Sequence, residues 1–442
     1  MIDQAILLIS SNPPDSSARG ANRTKNLLGL TLPERTILAA ASAGVRSFYV
    51  LYQSRKDPLP LFRIRAAALK KAGVRLESAF LDELPENTPP PPDCRGTFLL
   101  IEANSVLDPE IFKQASSLNI DHNVKAVLKT EESICPGIFL MSGTLRPALI
   151  RMLKEKRTVR LGQEMMKELA PEAPWQQFEI KGKFCIRIES RHDLKDAERR
   201  LLQTGRRPTD GVISRHLNRP ISLFVSRGLL KLNIRPLPVT FANLIIGLAS
   251  AWFTAQGGYA YMALGGLLFQ AASVFDGCDG EISRLMYRTS RLGAFLDTTF
   301  DALIFVAYFS CLPLGLYAAS RKPVYLIMGA LVLACLIFFY AMMIRFIKKS
   351  GLSGHIVKIA NDIKNYAHQK QYPIGRIDRA ASKVVNIYRR DVFAFAAFLS
   401  AVFNGTSVAF SLIVLLCFLE SFYFFFYSRR ELSRKSGLQN RA

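Results

Sequence analysis

The stretch DGCDGEISRLMYRTSRLGAFLDTTFD, residues 276–301, decides how the second half of this chain is read. Asp276 and Asp279 stand three residues apart and Asp297 and Asp301 four apart, so each pair shares one face of its own helix. The sequence on either side is apolar over lengths of roughly 20 residues, enough to cross the hydrocarbon layer of a bilayer. A short basic stretch at 283–291 joins the two helices, which makes them antiparallel neighbours and lets the four carboxylates face one another. Acids at membrane depth cost roughly 2.5–3.5 kcal/mol each on insertion scales, on the order of 10 kcal/mol together. Arg284, Arg288 and Arg291 lie close in sequence, but pairing with them leaves the repulsion among the acids. A hard divalent ion, magnesium or in its place manganese, answers that repulsion and shares its shell with substrate phosphates, here a diphosphate. Helix capping would need one acid, not four, and an EF-hand loop would need acids at alternate positions, which Gly277 and Cys278 do not supply.

Working outward, six apolar spans follow residue 238, at about 239–255, 259–282, 292–313, 324–345, 392–403 and 408–427. The fifth is short, and the second and third contain the acids. Alternate crossings put 283–291, 346–390 and the tail from 428 on the side of the N-terminal half, and these are the basic segments. Residues 346–390 hold ten Lys or Arg against two Asp, and the tail five against one Glu, whereas 256–258 and 404–407 carry no charge. Positive residues inside and an even number of spans agree on an integral protein of the inner or plasma membrane with both termini cytoplasmic. Arg321 and Lys322 are the exception. The net charge of +23 in a chain that is 50% hydrophobic therefore points to anionic lipid, and nucleic acid is not expected as a partner.

The first half has different physics. Short apolar runs at 6–10, 47–52, 97–103 and 125–128 alternate with helical patterns at 34–43, 109–117 and 193–202, as in an α/β unit with a mainly parallel sheet. The proline run at 89–92 reads as a stiff surface loop. No basic segment followed by an apolar run opens the chain, so no secretory signal is expected. The seven cysteines form no Cys-x-x-Cys pair and suggest neither zinc nor a disulfide framework. Residues 211–231 mix basic and apolar side chains and read as an interfacial helix, or as an amphipathic helix covering the α/β unit, ended by Pro236 and Pro238. The expected plan is an α/β domain over 1–205, an amphipathic linker over 206–238, an all-α membrane domain of six helices over 239–430 and a basic tail over 431–442.

Residues 276–301 resemble the signature of the CDP-alcohol phosphotransferase family. Asp276, Asp279, Gly280, Arg284, Gly293, Asp297 and Asp301 match it in order and spacing, with Ser283 where the family has alanine. The resemblance implies that the four aspartates hold one or two metal ions against the diphosphate of a CDP-alcohol donor, and that Asp301 deprotonates the hydroxyl of a lipid or polyol-phosphate acceptor. It implies that Gly280, Ser283 and Gly293 leave room for the nucleotide, that Arg284 contacts phosphate, and that the enzyme is a homodimer among membrane lipid. Pro238, Thr240 and Asn243 are similar to the family's turn into its first span, though they serve equally as a helix start. Arg389 and Arg390 are candidates for a phosphorylated acceptor and equally for setting topology. A non-catalytic cation carrier or scaffold is the reading from another class.

The first half resembles the sugar-phosphate nucleotidyltransferases, through Lys25 to Leu32, Glu34-Arg35-Thr36, Ala43-Gly44-Val45, Gly137 to Met141 and Asp193 to Glu198. Its catalytic parts depart from that pattern. Residues 10–17 put two prolines where a phosphate-cradling loop needs amide donors. Glu102 stands near one expected metal aspartate and Arg187 about where the other belongs. A degenerate domain kept for binding or assembly is expected, with a bifunctional enzyme that makes its own CDP-alcohol as the alternative. The order of the two halves resembles inositol-phosphate cytidylyltransferase fused to di-inositol-phosphate phosphate synthase.

Overall fold

The structure, a computed structural model, describes residues 2–9, 26–52, 73–81, 96–118, 125–129, 134–155, 168–169, 171, 175–181, 184–206, 210–350 and 390–439. The proline-bearing segments at 10–17 and 89–92, and residues 351–389 of the basic segment, lie outside the described residues. Two compact units are present. One comprises Met1–Arg207, Ser226–Ile234 and Glu281–Thr289, the other Pro208–Val225, Arg235–Gly280 and Ser290–Ala442.

The first unit is built, in chain order, from β1 (Gln4–Ile9), β2 (Asn26–Leu27), β3 (Leu30–Thr31), α1 (Leu32–Ser42), β4 (Ser47–Tyr52), β5 (Arg75–Phe80), β6 (Thr97–Glu102), β7 (Ser105–Leu107), α2 (Pro109–Ser117), β8 (Lys125–Lys129), β9 (Ile134–Ser142), α3 (Arg146–Glu155), β10 (Trp175–Glu179), β11 (Cys185–Arg187) and α4 (Arg191–Thr204). Seven strands form a sheet in the order β10-β8-β9-β6-β1-β4-β5. The pairs β1–β4, β1–β6, β4–β5 and β8–β10 are parallel, whereas β9 runs antiparallel to both its neighbours. Strand side chains alternate between faces, and both faces are buried. Leu7, Leu99, Ile101 and Leu140 join Ile37 and Ala40 of α1 and Ile111 and Phe112 of α2 on one side. Ile6, Leu8, Leu100 and Met141 join Leu149 and Leu153 of α3 on the other. This double burial explains why β1, β4 and β6 read as continuous apolar runs. A capping box starts α1, with Thr31 N–H donating to Glu34 Oε2 at 2.9 Å and Glu34 N–H to Thr31 Oγ1 at 3.4 Å.

The other residues are helical. After a π-helical turn at Ser214–Asn218 come α5 (Arg219–Lys231), α6 (Pro236–Ala255), α7 (Tyr259–Leu285), α8 (Arg291–Ser320), α9 (Val324–Ser350), α10 (Arg390–Val402) and α11 (Thr406–Gln439). Helices thus cover all six expected spans. Among the described residues, α6 and α8 are long and apolar enough to cross a membrane, while α9 and α11 contain the shorter apolar stretches Val324–Cys335 and Thr406–Leu419. The expected tail continues α11 as far as Gln439. Pro236 and Pro238 stand in the first turn of α6, where a missing amide hydrogen costs nothing, and the helix before it ends at Lys231. Glycine permits close helix contact here. A Cβ on Gly247 of α6 would collide with Ile304 of α8, and one on Gly315 of α8 with the Thr254 carbonyl of α6. Phe269 and Tyr308 stack at 4.0 Å in a core that includes Phe309, Phe393 and Phe410.

Candidate active site

The carboxylates converge within the helical unit. Ser290 caps α8 by accepting the Gly293 amide at 2.9 Å, and Asp297 and Asp301 follow one turn apart on that helix. Asp276 comes from α7. One carboxylate oxygen from each of Asp276, Asp297 and Asp301 lies within 4.8 Å of the others. Asp279 takes a different partner: 5% exposed, it accepts the Thr240 hydroxyl of α6 at 2.6 Å. Three residues advance a helix to about 60° short of a full turn, which swings Asp279 round from Asp276. Three of the four expected acids thus come within ligand distance of one another, and Asp279, braced by Thr240, stands beside Asp297.

A cation joins them from the start of α10. Arg390 Nη1 lies 3.4 Å from Asp276 Oδ1 and forms an ion pair with Asp301. Its neighbour Asp391 accepts the Ser214 amide at 2.9 Å and so holds the first turn of α10. Neither Thr240 nor Arg390 stood among the residues assigned to the site from the sequence. Thr240 was visible as part of the turn into the first span, and Arg390 as a basic residue at a span's start. Some ninety residues separate Arg390 from the aspartates, a distance no motif bridges. The donor set is all carboxylate oxygen, which fits magnesium or manganese and not a thiophilic metal.

The remaining predicted residues are placed as follows. Gly280 lies in α7 one residue after Asp279, and Gly293 in the first turn of α8. Ser283 and Arg284 belong to the first unit. Ser283 Oγ donates to the Arg288 carbonyl at 3.1 Å, and Arg284 Nη2 to the Gly205 carbonyl at 2.7 Å.

In the first unit, the pair singled out as altered metal ligands does come together. Glu102, at the end of β6 and 3% exposed, accepts Arg187 Nε at 2.8 Å and Nη2 as well. The antiparallel register that sets Arg187 opposite Ser105 brings β11 to this edge. Gly137, at φ +74°, makes room, since a Cβ there would lie 2.9 Å from Glu102 Oε2. Glu102, near a metal position that the sequence resemblance implied, is thus bound by a guanidinium.

Residues 234–363 match the family model of CDP-alcohol phosphatidyltransferase. Over that stretch the chain is similar to the CDP-alcohol phosphatidyltransferases. It is also similar to proteins called bifunctional IPC transferase and DIPP synthase. The Aquifex aeolicus protein is 32% identical over 41% of this chain and 40% of its own length. The Thermococcus kodakarensis protein is 30% identical over 47% and 45%, and the Rubrobacter xylanophilus protein 33% over 42% and 43%. The chain spans less than half the length of these curated relatives. Among solved structures, the inositol-1-phosphate CTP transferase of T. maritima overlaps 45% of this chain and 94% of its own at 18% identity and a TM-score of 0.32. The matched stretch contains all four aspartates, Gly280, Ser283, Arg284 and Gly293, whereas Arg390 lies beyond it.

Proposed function

We propose that this protein is a magnesium-dependent CDP-alcohol phosphotransferase, moving a substituted phosphate from a CDP-alcohol to an acceptor hydroxyl with release of CMP. The observation that carries the reading is the convergence of Asp276, Asp297 and Asp301 within a domain matching the CDP-alcohol phosphatidyltransferase model. The aspartates would hold magnesium, or manganese, which when bound neutralises charge on the diphosphate. Asp301 takes the proton of the acceptor hydroxyl. The freed oxygen bonds to the phosphorus that bears the alcohol, the bond from that phosphorus to the bridging oxygen breaks, and CMP departs with the electron pair. Gly280, Ser283 and Gly293 would leave room for the nucleotide, and Arg284 would contact phosphate. Arg390, the first residue of α10 and beside Asp301, suits an acceptor with its own phosphate.

The setting is a membrane. Six helices would span it with both termini cytoplasmic, α5 would lie in its interface, and the chain would work as a homodimer. Outward apolar side chains support this, Ile245 at 69% and Trp252 at 68% exposure on α6 being examples, because a soluble surface seldom carries such contiguous apolar area. Lipid and polyol-phosphate acceptors both fit, in phospholipid or polyol-phosphodiester synthesis.

The α/β unit is read as a degenerate nucleotidyltransferase, on the strength of the Glu102–Arg187 pair. The relatives' description as bifunctional favours a second reading, in which this unit also makes the CDP-alcohol from CTP. Incubating the purified chain with CTP and a panel of sugar and polyol phosphates separates the two, because pyrophosphate release would restore the bifunctional reading. For the transferase itself, product mass spectrometry with a panel of CDP-alcohols and acceptors is the test. Asp301→Asn should cut CMP release by about 10²- to 10⁴-fold while CDP binding persists. That loss with CDP binding preserved would exclude the cation carrier or scaffold, whereas unchanged turnover would remove Asp301 from the role of base.

A further inference from the structure

Residues Glu281–Thr289 connect the helix bearing Asp276 and Asp279 to the helix bearing Asp297 and Asp301, yet they fold as part of the α/β unit. The fastening is specific. Arg35, 3% exposed in the first turns of α1, donates Nη1 to the Leu285 carbonyl at 3.0 Å and Nη2 to the Leu27 carbonyl at 2.6 Å. Tyr287, at φ +52°, packs on the sheet's core and bonds the same guanidinium, and burial raises the pKa of its hydroxyl. Ser226 Oγ donates to Glu281 Oε2 at 2.7 Å, with both residues fully buried. Gly29 turns at φ +80° so tightly that a Cβ would stand 2.8 Å from the Leu230 carbonyl and 3.3 Å from the Met286 methyl. Buried charge-assisted bonds of this kind are costly to leave unmade, so one arrangement of the connection is strongly preferred.

We propose that Arg35 is a positioning residue of the transferase domain: by holding Leu285 it fixes the connection between the two aspartate-bearing helices, which makes the α/β unit a structural support of the metal cluster. Nine residues are too few to absorb a shift at one end without passing it to the other. The role is independent of any nucleotidyl transfer by the same unit, and it rests on the transferase reading given above.

The test uses the full chain in nanodiscs, with Arg35→Met and Arg35→Lys beside the unaltered protein. Three measurements are made: hydrogen exchange over 281–289, manganese affinity by electron paramagnetic resonance, and CMP release resolved into kcat and KM. In Arg35→Met, exchange in the connection should rise about 10-fold or more and manganese binding should weaken. Its kcat should fall about 10- to 100-fold with the donor KM held within about 2-fold, and Arg35→Lys should recover part of the loss. Should β1, β4 and β6 also lose protection, Tyr287→Phe decides, since it removes only a bond to Arg35. Faster exchange at 281–289 with lower kcat supports the proposal, and unchanged values overturn it. As a control, Glu34→Ala weakens the cap of α1 but should leave CMP release within about 2-fold. Absence of CMP release from the unaltered protein would defeat the transferase reading alone, because exchange and manganese affinity still report on Arg35.

Discussion

Each unit holds acidic side chains away from open solvent, and the two answer the charge differently. In the α/β unit Glu102 closes on Arg187, and the pair is neutral within itself. In the helical unit Asp276, Asp297 and Asp301 gather with Arg390, three acids about one guanidinium. The comparison teaches that a buried carboxylate can be answered within the chain by one guanidinium, whereas clustered acids that outnumber the nearby cations leave charge for a metal ion to answer.

The sharpest way to break this contrast is to remove one acid from the open cluster. Asp276→Asn should lower CMP release about 1,000-fold, equivalent to about 4 kcal/mol of transition-state stabilisation, and should abolish manganese binding measured by electron paramagnetic resonance. The closed pair should respond in stability and not in turnover. Arg187→Ala strands the buried Glu102 charge and should cost about 3 kcal/mol, read as faster hydrogen exchange in β6 and β11, with CMP release unchanged. A finer probe is Thr240→Val, which takes the hydroxyl from Asp279. The magnesium concentration for half-maximal CMP release should rise about 10-fold, the equivalent of about 1.4 kcal/mol.

The smallest effect belongs to a surface-facing pair. Burial alone would raise the Glu198 pKa, but the bond and charge of Arg227 outweigh it and hold the carboxyl below its ordinary value. A depressed folded-state value means stability that is present at neutral pH and is lost as pH falls through that value. Glu198→Gln should therefore flatten the acid side of the stability profile of the α/β unit by under about 1 kcal/mol, followed by denaturant titration across pH 7 to 3.

What the sequence discloses follows from which interactions are local. The strand at Ser47–Tyr52 and the helix at Pro109–Ser117 lie where periodicity puts them, because doubly buried strands and a proline-started amphipathic helix write their environment into adjacent residues. The edge strand Arg75–Phe80 is largely exposed and mixes charge with apolar residues, so no alternation announces it. Short β11 shows nothing until β7 pairs with it. The aspartates are legible because helix spacing is local, and Glu102 and Arg187 because a family resemblance drew them together before their ion pair was seen. Thr240 bracing Asp279, Arg390 reaching Asp301 and Arg35 reaching Leu285 depend on contacts across long stretches of chain, which spacing does not encode.

The bond between Arg35 and Leu285 also sets a schedule. Its two residues are 250 positions apart, so at about 5–20 residues per second the guanidinium leaves the ribosome some tens of seconds before its acceptor exists. The domain made first is therefore finished late, and a ribosome that stalls between the two would leave a nascent chain with a buried cation still waiting for its carbonyl.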